Sequence, residues 1–442
     1  MDNNVYRILL GASGAGGINP QIMRFNWSTD SVIHKPEYTN LLYLGHREAT
    51  YAAPPFNQNP NGANGTIISV DGAAGTINWT RKVQPGGYAQ FSKYYDEGSN
   101  VRGLTNNGYF YTFPISNGSL SSGLVTGTIT QITDTHYVLV SGNQVRYINR
   151  SDNTGWYSGI DSGGFGDDIM QTAWQVGSYV YSALSHRNDS EQWDGIYYGR
   201  HSLSDGSYTL LTITSISNYK ILGVSSNNSY FYAYIPLSGP AGNQTVAGYV
   251  SMGIVVKLNV SNGNVVWYRT LQLWYYGGFN NYATKDAIFD PETEDVYLLG
   301  HWRTNNNDDG IVPMWKVNSN GNTEWVRQTA SGLTGDSKSG QPQRISLDAD
   351  NMYLVGSNYL TDNGYGPGIV YVFPKDGSLT GTHGVTTYSD TLSSYNVSTA
   401  NPVVNRSQRG FTNPKGSVTL SSSSPTNTTN SIPTDGYVFP IS

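Results

Sequence analysis

Carboxylates and histidines are the residues in this sequence that could perform acid–base or metal chemistry, and their spacing favours neither. Cleavage of a glycosidic bond needs two positioned carboxylates, but the candidates Glu191, Asp194 and Asp308 come from separate stretches of the chain. The 7 histidines form no HxH or HExxH pair, and no acidic cluster matches the calcium loop D-x-[DN]-x-[DN]-G. With 0 cysteines, thiolate ligands and thiol nucleophiles are excluded. We therefore expect no catalytic residues, no metal site and no cofactor.

Two short motifs suggest an enzyme at first reading. The glycine-rich residues 11–17 lack the Lys-Ser/Thr pair of a Walker loop, and Pro20 leads into a strand-like run instead of a helix. Residues 151–156 are a distant echo of the Asp box of sialidases, and this echo stands alone. A glycan-degrading enzyme of the sialidase or glycosidase type is therefore the alternative, and not the leading interpretation.

Aromatic residues in the long connections favour binding instead. Trp and Tyr mixed with Asn and Asp suit protein interfaces and stacking on sugar rings. The competing interpretation is that these aromatics pack inside the fold. If they bind, we expect the contact residues to be Trp193, Asp194, Trp274, Tyr275, Tyr276, Trp302, Asp308 and Asp309.

A repeated hairpin must position these residues. The segments 65–81, 253–269 and 310–327 each contain a strand, a tight turn with Asn-Gly or Asp-Gly, and a second strand carrying Trp-x-Arg. Asn-Gly between two alternating runs is a strong hairpin signal, because both residues accept a positive φ. Upstream strands end in Gly, as in 296–300 and 352–356. Four short strands per repeat predict the blade of an all-β protein, a β-propeller.

The spacing of the repeats predicts seven four-stranded blades over residues 1–385. The expected last strands contain Val32, Trp79, Trp156, Leu210, Trp267, Trp325 and about Thr380. The long interval between Trp79 and Trp156 is interpreted as one blade with an insertion around 112–130, with an eighth blade as the alternative. The connections on one face of such a disc are short and uniform, whereas those on the other face are long and varied. The long ones predict the contact face.

The C-terminal residues 386–442 differ in composition, since Ser, Thr and Asn dominate them. They end in 437–442, which nearly copies the strand-like residues 111–116. We expect either a returning strand at 437–442 that closes the ring or a loose tail.

Charge and hydropathy exclude several partners. The net charge is −6 and 13% of residues are charged, so no basic surface is available to bind nucleic acid. No apolar run reaches the length of about 18 residues that inserts into a membrane. The start, Met1-Asp2-Asn3-Asn4, lacks the basic region and long apolar core of a signal peptide, so we do not expect secretion.

The repeats resemble those of bacterial β-propeller proteins, with the second half of the pattern at 253–269 and 310–327. Residues 372–382 and 388–394 resemble sequences that end structural proteins of marine tailed phages, notably those infecting cyanobacteria. That resemblance implies a non-enzymatic virion protein of the tail, baseplate, fibre or capsid surface, present in several copies. It implies assembly in the bacterial cytoplasm and release by lysis. The implied partners are other virion proteins or a host cell-surface polysaccharide.

Overall fold

The computed structural model contains strands and turns, and no helix, in the residues that it describes. Within them, no helix is long and apolar enough to cross a membrane. These residues are 21–25, 29–35, 41–46, 65–71, 76–84, 91–97, 99–105, 109–114, 121–124, 127–160, 169–187, 193–214, 219–235, 238–240, 245–246, 249–274, 281–303, 310–329, 340–347, 350–360, 364–378, 381–383, 386–389, 395–398, 415–419 and 426–428.

The first strand, β1 (Gln21–Phe25), joins the last sheet, and the strands that follow it form four antiparallel sheets in chain order. Sheet 1 contains β2 (Thr29–Lys35), β3 (Leu41–His46), β4 (Gly65–Asp71) and β5 (Thr76–Gln84). Sheet 2 contains β6 (Phe91–Glu97), β7 (Asn100–Thr105), β8 (Tyr109–Pro114) and β9 (Ser121–Leu124). Sheet 3 contains β10 (Thr128–Ile132), β11 (His136–Ser141), β12 (Gln144–Asn149) and β13 (Thr154–Gly159). Sheet 4 contains β14 (Ile169–Val176), β15 (Tyr179–Arg187), β16 (Trp193–Ser202) and β17 (Tyr208–Thr214).

Three further sheets complete the body of the molecule. Sheet 5 contains β18 (Lys220–Val224), β19 (Tyr230–Ile235), β22 (Tyr249–Asn259) and β23 (Val265–Trp274). Two short strands, β20 (Ser238–Pro240) and β21 (Thr245–Val246), lie along the chain between β19 and β22; β20 pairs with β24 of sheet 6 and β21 with β22. Sheet 6 contains β24 (Asn281–Asp290), β25 (Asp295–Arg303), β26 (Gly310–Val317) and β27 (Thr323–Thr329). Sheet 7 contains β28 (Gly340–Leu347), β29 (Asn351–Leu360), β30 (Gly364–Pro374) and, as its fourth strand, β1.

The two halves of the chain meet in sheet 7. Strand β1 runs antiparallel to β30, from the pair Gln21↔Val372 to the pair Phe25↔Gly368. Sheet 1 has four strands of its own, whereas sheet 7 takes its fourth strand from the N-terminal part. The strand expected to return at 437–442 lies outside the described residues and stays a prediction.

The borders of the units differ from those expected in three places. The fourth strand of sheet 7 is β1 and not a strand near Thr380. Val32 lies in β2, the first strand of sheet 1 and not the last strand of a unit. The interval between Trp79 and Trp156 contains both sheet 2 and sheet 3, and not one blade with an insertion. Sheet 2 escapes detection because its fourth strand, β9, contains no Trp, the residue that marks most last strands.

Successive sheets pack face to face, and the apolar core lies between them. One buried cluster joins sheets 4 and 5 through Tyr198 and Phe231, and another joins sheets 5 and 6 through Tyr232 and Phe289. First strands of neighbouring sheets are in contact: β10 with β14, β14 with β18, β18 with β24, β24 with β28, β28 with β2, and β2 with β6. Strand alternation explains this packing, because each strand turns side chains to both faces of its sheet and each face meets a neighbour. Face-to-face packing of four-stranded antiparallel sheets is the architecture of a β-propeller.

The Ser/Thr/Asn-rich C-terminal residues contribute five more strands, which are β31 (Gly381–His383), β32 (Thr386–Ser389), β33 (Tyr395–Ser398), β34 (Lys415–Thr419) and β35 (Thr426–Thr428). Strand β32 pairs with β27, and β31 pairs with β32. Strand β33 pairs with β23, β34 with β13, and β35 with β5. The described parts of this segment therefore extend the outer edges of sheets 6, 5, 3 and 1.

Candidate binding surface at the loop end of the sheets

Each sheet has two ends with different connections. We call the end with the connections between first and second and between third and fourth strands the turn end, and the opposite one the loop end. Turn-end connections are short, as at 203–207 and 318–322. At the loop end, the connections 47–64 and 236–248 are much longer. The elaborated end is therefore the one that the sequence predicts to make contacts.

Three of the predicted contact residues lie at the loop end of three successive sheets. Trp193 begins β16 in sheet 4, Trp274 ends β23 in sheet 5, and Trp302 lies one residue before the end of β25 in sheet 6. Because sheets 4, 5 and 6 contact one another through β14, β18 and β24, the topology brings these positions to one end of the molecule. Asp194 follows Trp193 in β16.

The other predicted contact residues, Tyr275, Tyr276, Asp308 and Asp309, lie outside the described residues. The structure places the backbone of Trp193, Asp194, Trp274 and Trp302 at a common end. The contact role of all eight residues stays a prediction.

A long loop-end connection reaches from sheet 5 to sheet 6. Strand β20 pairs antiparallel with the start of β24, from Ser238↔Ala283 to Pro240↔Asn281. It lies on the side of β24 away from β25, and in a propeller that side lines the central channel. Strand β21 folds back onto β22 through the pair Thr245↔Val250. Strand β20 thus covers the inner edge of sheet 6 at the loop end.

At the turn end, the Trp-x-Arg repeat connects sheet 5 to sheet 6 and sheet 6 to sheet 7. In sheet 5, Trp267 donates from Nε1 to the backbone oxygen of Ser319 in sheet 6 at 3.2 Å. Arg269 donates from Nε to the backbone oxygen of Gly321 in the same turn. Arg327 makes the equivalent bond from sheet 6 to the turn of sheet 7 at 2.8 Å. The repeated motif therefore packs neighbouring sheets together, and the side chains of Trp267, Arg269 and Arg327 are used in these hydrogen bonds.

Glycine is required in these turns because the indole ring covers it. Gly321 has a φ of +79°, and a Cβ atom there would lie 2.8 Å from Cδ2 of Trp267. Gly377 has a φ of +71°, and its Cβ would lie 2.9 Å from Cδ2 of Trp325. Only a residue without a side chain satisfies both the backbone and the contact.

Charged groups at the turn end are paired within sheet 6 and between sheets 6 and 7. The Nζ of Lys316 lies 2.9 Å from Asp295 and 2.7 Å from Glu324. Burial lowers the pKa of Lys316, but hydrogen bonds to Glu324 and Asp295 outweigh it, so the pKa lies above its ordinary value. Lys375 of sheet 7 lies 2.7 Å from Asp290 of sheet 6. Burial raises the pKa of Asp290, and this ion pair holds the net value below the ordinary one.

A buried histidine joins sheets 3 and 4. The Nε2 of His201 lies 2.9 Å from Oγ of Ser182, and its Nδ1 lies 2.8 Å from Oγ of Ser158. All three side chains are buried, and the ring stacks against Trp156. Burial lowers the pKa of His201 to about 3, so the ring is neutral at ordinary pH. Because no face of this cluster is open to a substrate, its role is to satisfy polar groups between sheets.

The motifs that suggested chemistry have different outcomes. In the echo of the Asp box, Oδ1 of Asp152 accepts hydrogen bonds from the backbone nitrogen and Oγ1 of Thr154, which shapes the turn between β12 and β13. Glu191, Asp308 and the glycine-rich residues 11–17 lie outside the described residues. In the part of the chain that the structure describes, no group of three or more His, Asp or Glu side chains is placed to hold a metal ion. The expected absence of a catalytic site, metal and cofactor stays a prediction.

No protein-family model and no curated protein matches this sequence. Among solved structures, the chain is similar to BamB from Moraxella catarrhalis, with 13% identity, 78% of this chain and 83% of that chain covered, and a TM-score of 0.36. It is similar to U3-55K, with 9% identity, coverage of 80% and 100%, and a TM-score of 0.46. It is also similar to the WD40 domain of Pan2 from Neurospora crassa, with 8% identity, coverage of 80% and 90%, and a TM-score of 0.38.

The chain is an all-β repeat protein of the propeller type. This assignment rests on the seven sheets and their face-to-face packing, because likenesses at such identities concern the fold alone. The resemblance to phage structural proteins rests on sequence and stays a prediction.

Sequence reasoning missed the residues that hold the turn end together. His201 is one of seven scattered histidines, and no sequence pattern around it predicts its contact with Ser158, which lies 43 residues earlier. The Trp-x-Arg spacing was visible as a repeat, and the glycine of each turn was visible as a hairpin signal. Combining the two would have indicated that the Trp of one unit packs on the glycine of the next.

Proposed function

We propose that this chain is a non-enzymatic structural protein of a tailed-phage particle, and that its loop end binds another virion protein or a host-surface glycan. The observation that carries the proposal is the convergence of Trp193, Trp274 and Trp302 at the loop end of three adjacent sheets. Tryptophan supplies a large contact area and a stacking face for sugar rings.

The contrast between the two ends supports this assignment. At the turn end, Trp267, Arg269 and Lys375 contact neighbouring sheets. The loop end carries the long connections, and β20 extends one of them over sheet 6. In folds of this kind, binding residues occur on loops that a rigid scaffold positions.

In this proposal, the seven sheets are the seven blades of a closed ring. The contacts between first strands link sheets 3, 4, 5, 6, 7, 1 and 2 in a continuous series. Strand β1 completes sheet 7 and thereby joins the beginning of the chain to its last blade. The proposal adds one contact to this series, between sheets 2 and 3, which would close the ring.

Mass spectrometry of purified particles tests the proposal. We expect peptides of this chain in particles that have been separated from the lysate by density, in an amount that corresponds to several copies per particle. A chain found only in the unbound lysate fraction would overturn the proposal.

The glycan-degrading alternative is tested separately. If it were right, Glu191→Gln and Asp308→Asn would each abolish release of sugar from host polysaccharide. The proposal expects no such turnover in the unmodified protein and unchanged incorporation of the Glu191→Gln variant into particles.

A further inference from the structure

We propose that residues 381–428 form a strap whose strands bind the outer edges of four sheets, shield those edges from pairing with a second copy, and release one sheet at a time. We call this segment the C-terminal strap. The proposal concerns the body of the molecule and does not depend on the identity of the loop-end partner.

The path of the C-terminal strap is the first observation. It leaves sheet 7 after β30 and then pairs with sheets 6, 5, 3 and 1 in that order. The contacts between first strands place sheets 7, 6, 5, 4 and 3 next to one another in series. The strap strands therefore meet the outer edges of the sheets in the reverse of the order in which the sheets follow one another in the sequence.

The strands of the C-terminal strap pair with the sheets through their main chain. Strand β33 pairs with β23 over four residues, from Thr270↔Ser398 to Leu273↔Tyr395. At β34, the side chains of Lys415 and Ser417 are exposed. Lys415 forms an ion pair with Asp205 at 2.8 Å, but both side chains are about half exposed, and such pairs add little stability.

The body of the molecule has its own contacts between sheets. Trp267 and Arg269 bind the turn of sheet 6, and the buried clusters join residues of neighbouring sheets. Each strap strand is short and separated from the next by further chain. Loss of one strap strand therefore removes pairing from one edge and leaves the body intact.

Exposed outer strands need protection because they present a row of unpaired N–H and C=O groups to other chains. In the described residues, the outer strands of sheets 4 and 2, β17 and β9, have no fifth strand. These two edges provide an internal reference for edges that the strap does not cover.

Hydrogen exchange on the full-length chain tests the strap. The variant Asn396→Pro with Val397→Pro removes one N–H that points toward β23, because neighbouring N–H groups point to opposite sides of a strand. We expect amide exchange in β23 to become about tenfold faster, as for the loss of one or two hydrogen bonds, with exchange in β13 and β17 unchanged. The variant Ser417→Pro with Val418→Pro should act on β13 in the same way and spare β23.

The matched control is Ser421→Pro with Ser422→Pro, which places the same pair between β34 and β35 and should leave both edges protected. Sedimentation completes the test, because the two strap variants should associate at high concentration while the control does not. The proposal is overturned if β23 exchanges at its original rate, if protection falls in all sheets together, if the variant fails to fold, or if it exchanges faster at β23 and does not associate.

Discussion

Gly321 shows at the scale of one residue how the sheets are held together. Its positive φ and its contact with the indole of Trp267 both exclude a Cβ atom at this position. We expect Gly321→Ala to lower the free energy of unfolding by about 2–3 kcal/mol, from backbone strain and displacement of the ring together. The measurement is equilibrium unfolding in urea, monitored by Trp fluorescence.

Gly142→Ala is the matched control for that prediction. Gly142 also has a positive φ, +56°, but nothing lies within 4 Å of the position of an added Cβ atom. Gly142→Ala should lower the free energy of unfolding by about 1 kcal/mol, from backbone strain alone. Equal losses for the two variants would contradict a role of the Trp267 contact.

His201 predicts a pH dependence. Its pKa is about 3 in the folded protein because of burial, against 6.5 for an unperturbed histidine. The unfolded chain therefore binds one more proton between these values, so stability is lost as the pH falls below about 6.5. Relative to His201→Gln, the unmodified protein should lose about 1.4 kcal/mol per pH unit between about pH 6 and 4. Unfolding in urea at several pH values measures this, and parallel curves for the two proteins would refute it.

Residue-scale predictability was uneven for physical reasons. The turn glycines and the Trp-x-Arg spacing depend on local geometry, so a local sequence pattern predicts them. The cluster of Ser158, Ser182 and His201 depends on two sheets meeting, and no local pattern encodes that meeting. The predicted binding residues Trp193 and Trp302 were expected in the long connections, but the structure places both at the loop ends of strands, and their contact role stays a prediction.

At the scale of elements, β1 should matter more than any strand of the C-terminal strap. It is the fourth strand of sheet 7, and sheet 7 also contacts sheet 1 through β28 and β2. We expect Ile22→Pro with Met23→Pro to destabilise the protein by about 3 kcal/mol or more, with loss of exchange protection in sheets 7 and 1 together. A purely local effect on β30, measured by hydrogen exchange, would show that β1 does not join the ends of the molecule.

Elements were predictable where they carry a repeated signature. Sheets 5 and 6 have Asn-Gly turns and Trp-x-Arg in the last strand, and both were found. Sheet 2 was merged with its neighbour because β9 has neither Trp nor length. The strap strands were missed because Ser, Thr and Asn in short runs show no alternation of apolar and polar residues, and their pairing depends on edges that only the folded body provides.

At the scale of the whole molecule, the two ends of the sheets have different tasks. The turn end holds neighbouring sheets together through indole, guanidinium and ion-pair contacts, and the loop end carries the long connections and the convergent tryptophans. A rigid body with one elaborated end suits a component that is fixed in a particle and makes contacts on one side.

Hydroxyl-radical footprinting of the free protein and of purified particles, read by mass spectrometry, tests this account most directly. We predict that the chain is present in the particles, that Trp193, Trp274 or Trp302 becomes protected from oxidation there, and that Tyr230 at the turn end reacts equally in both states. Absence of the chain from the particles, or protection confined to the turn end, would contradict the account.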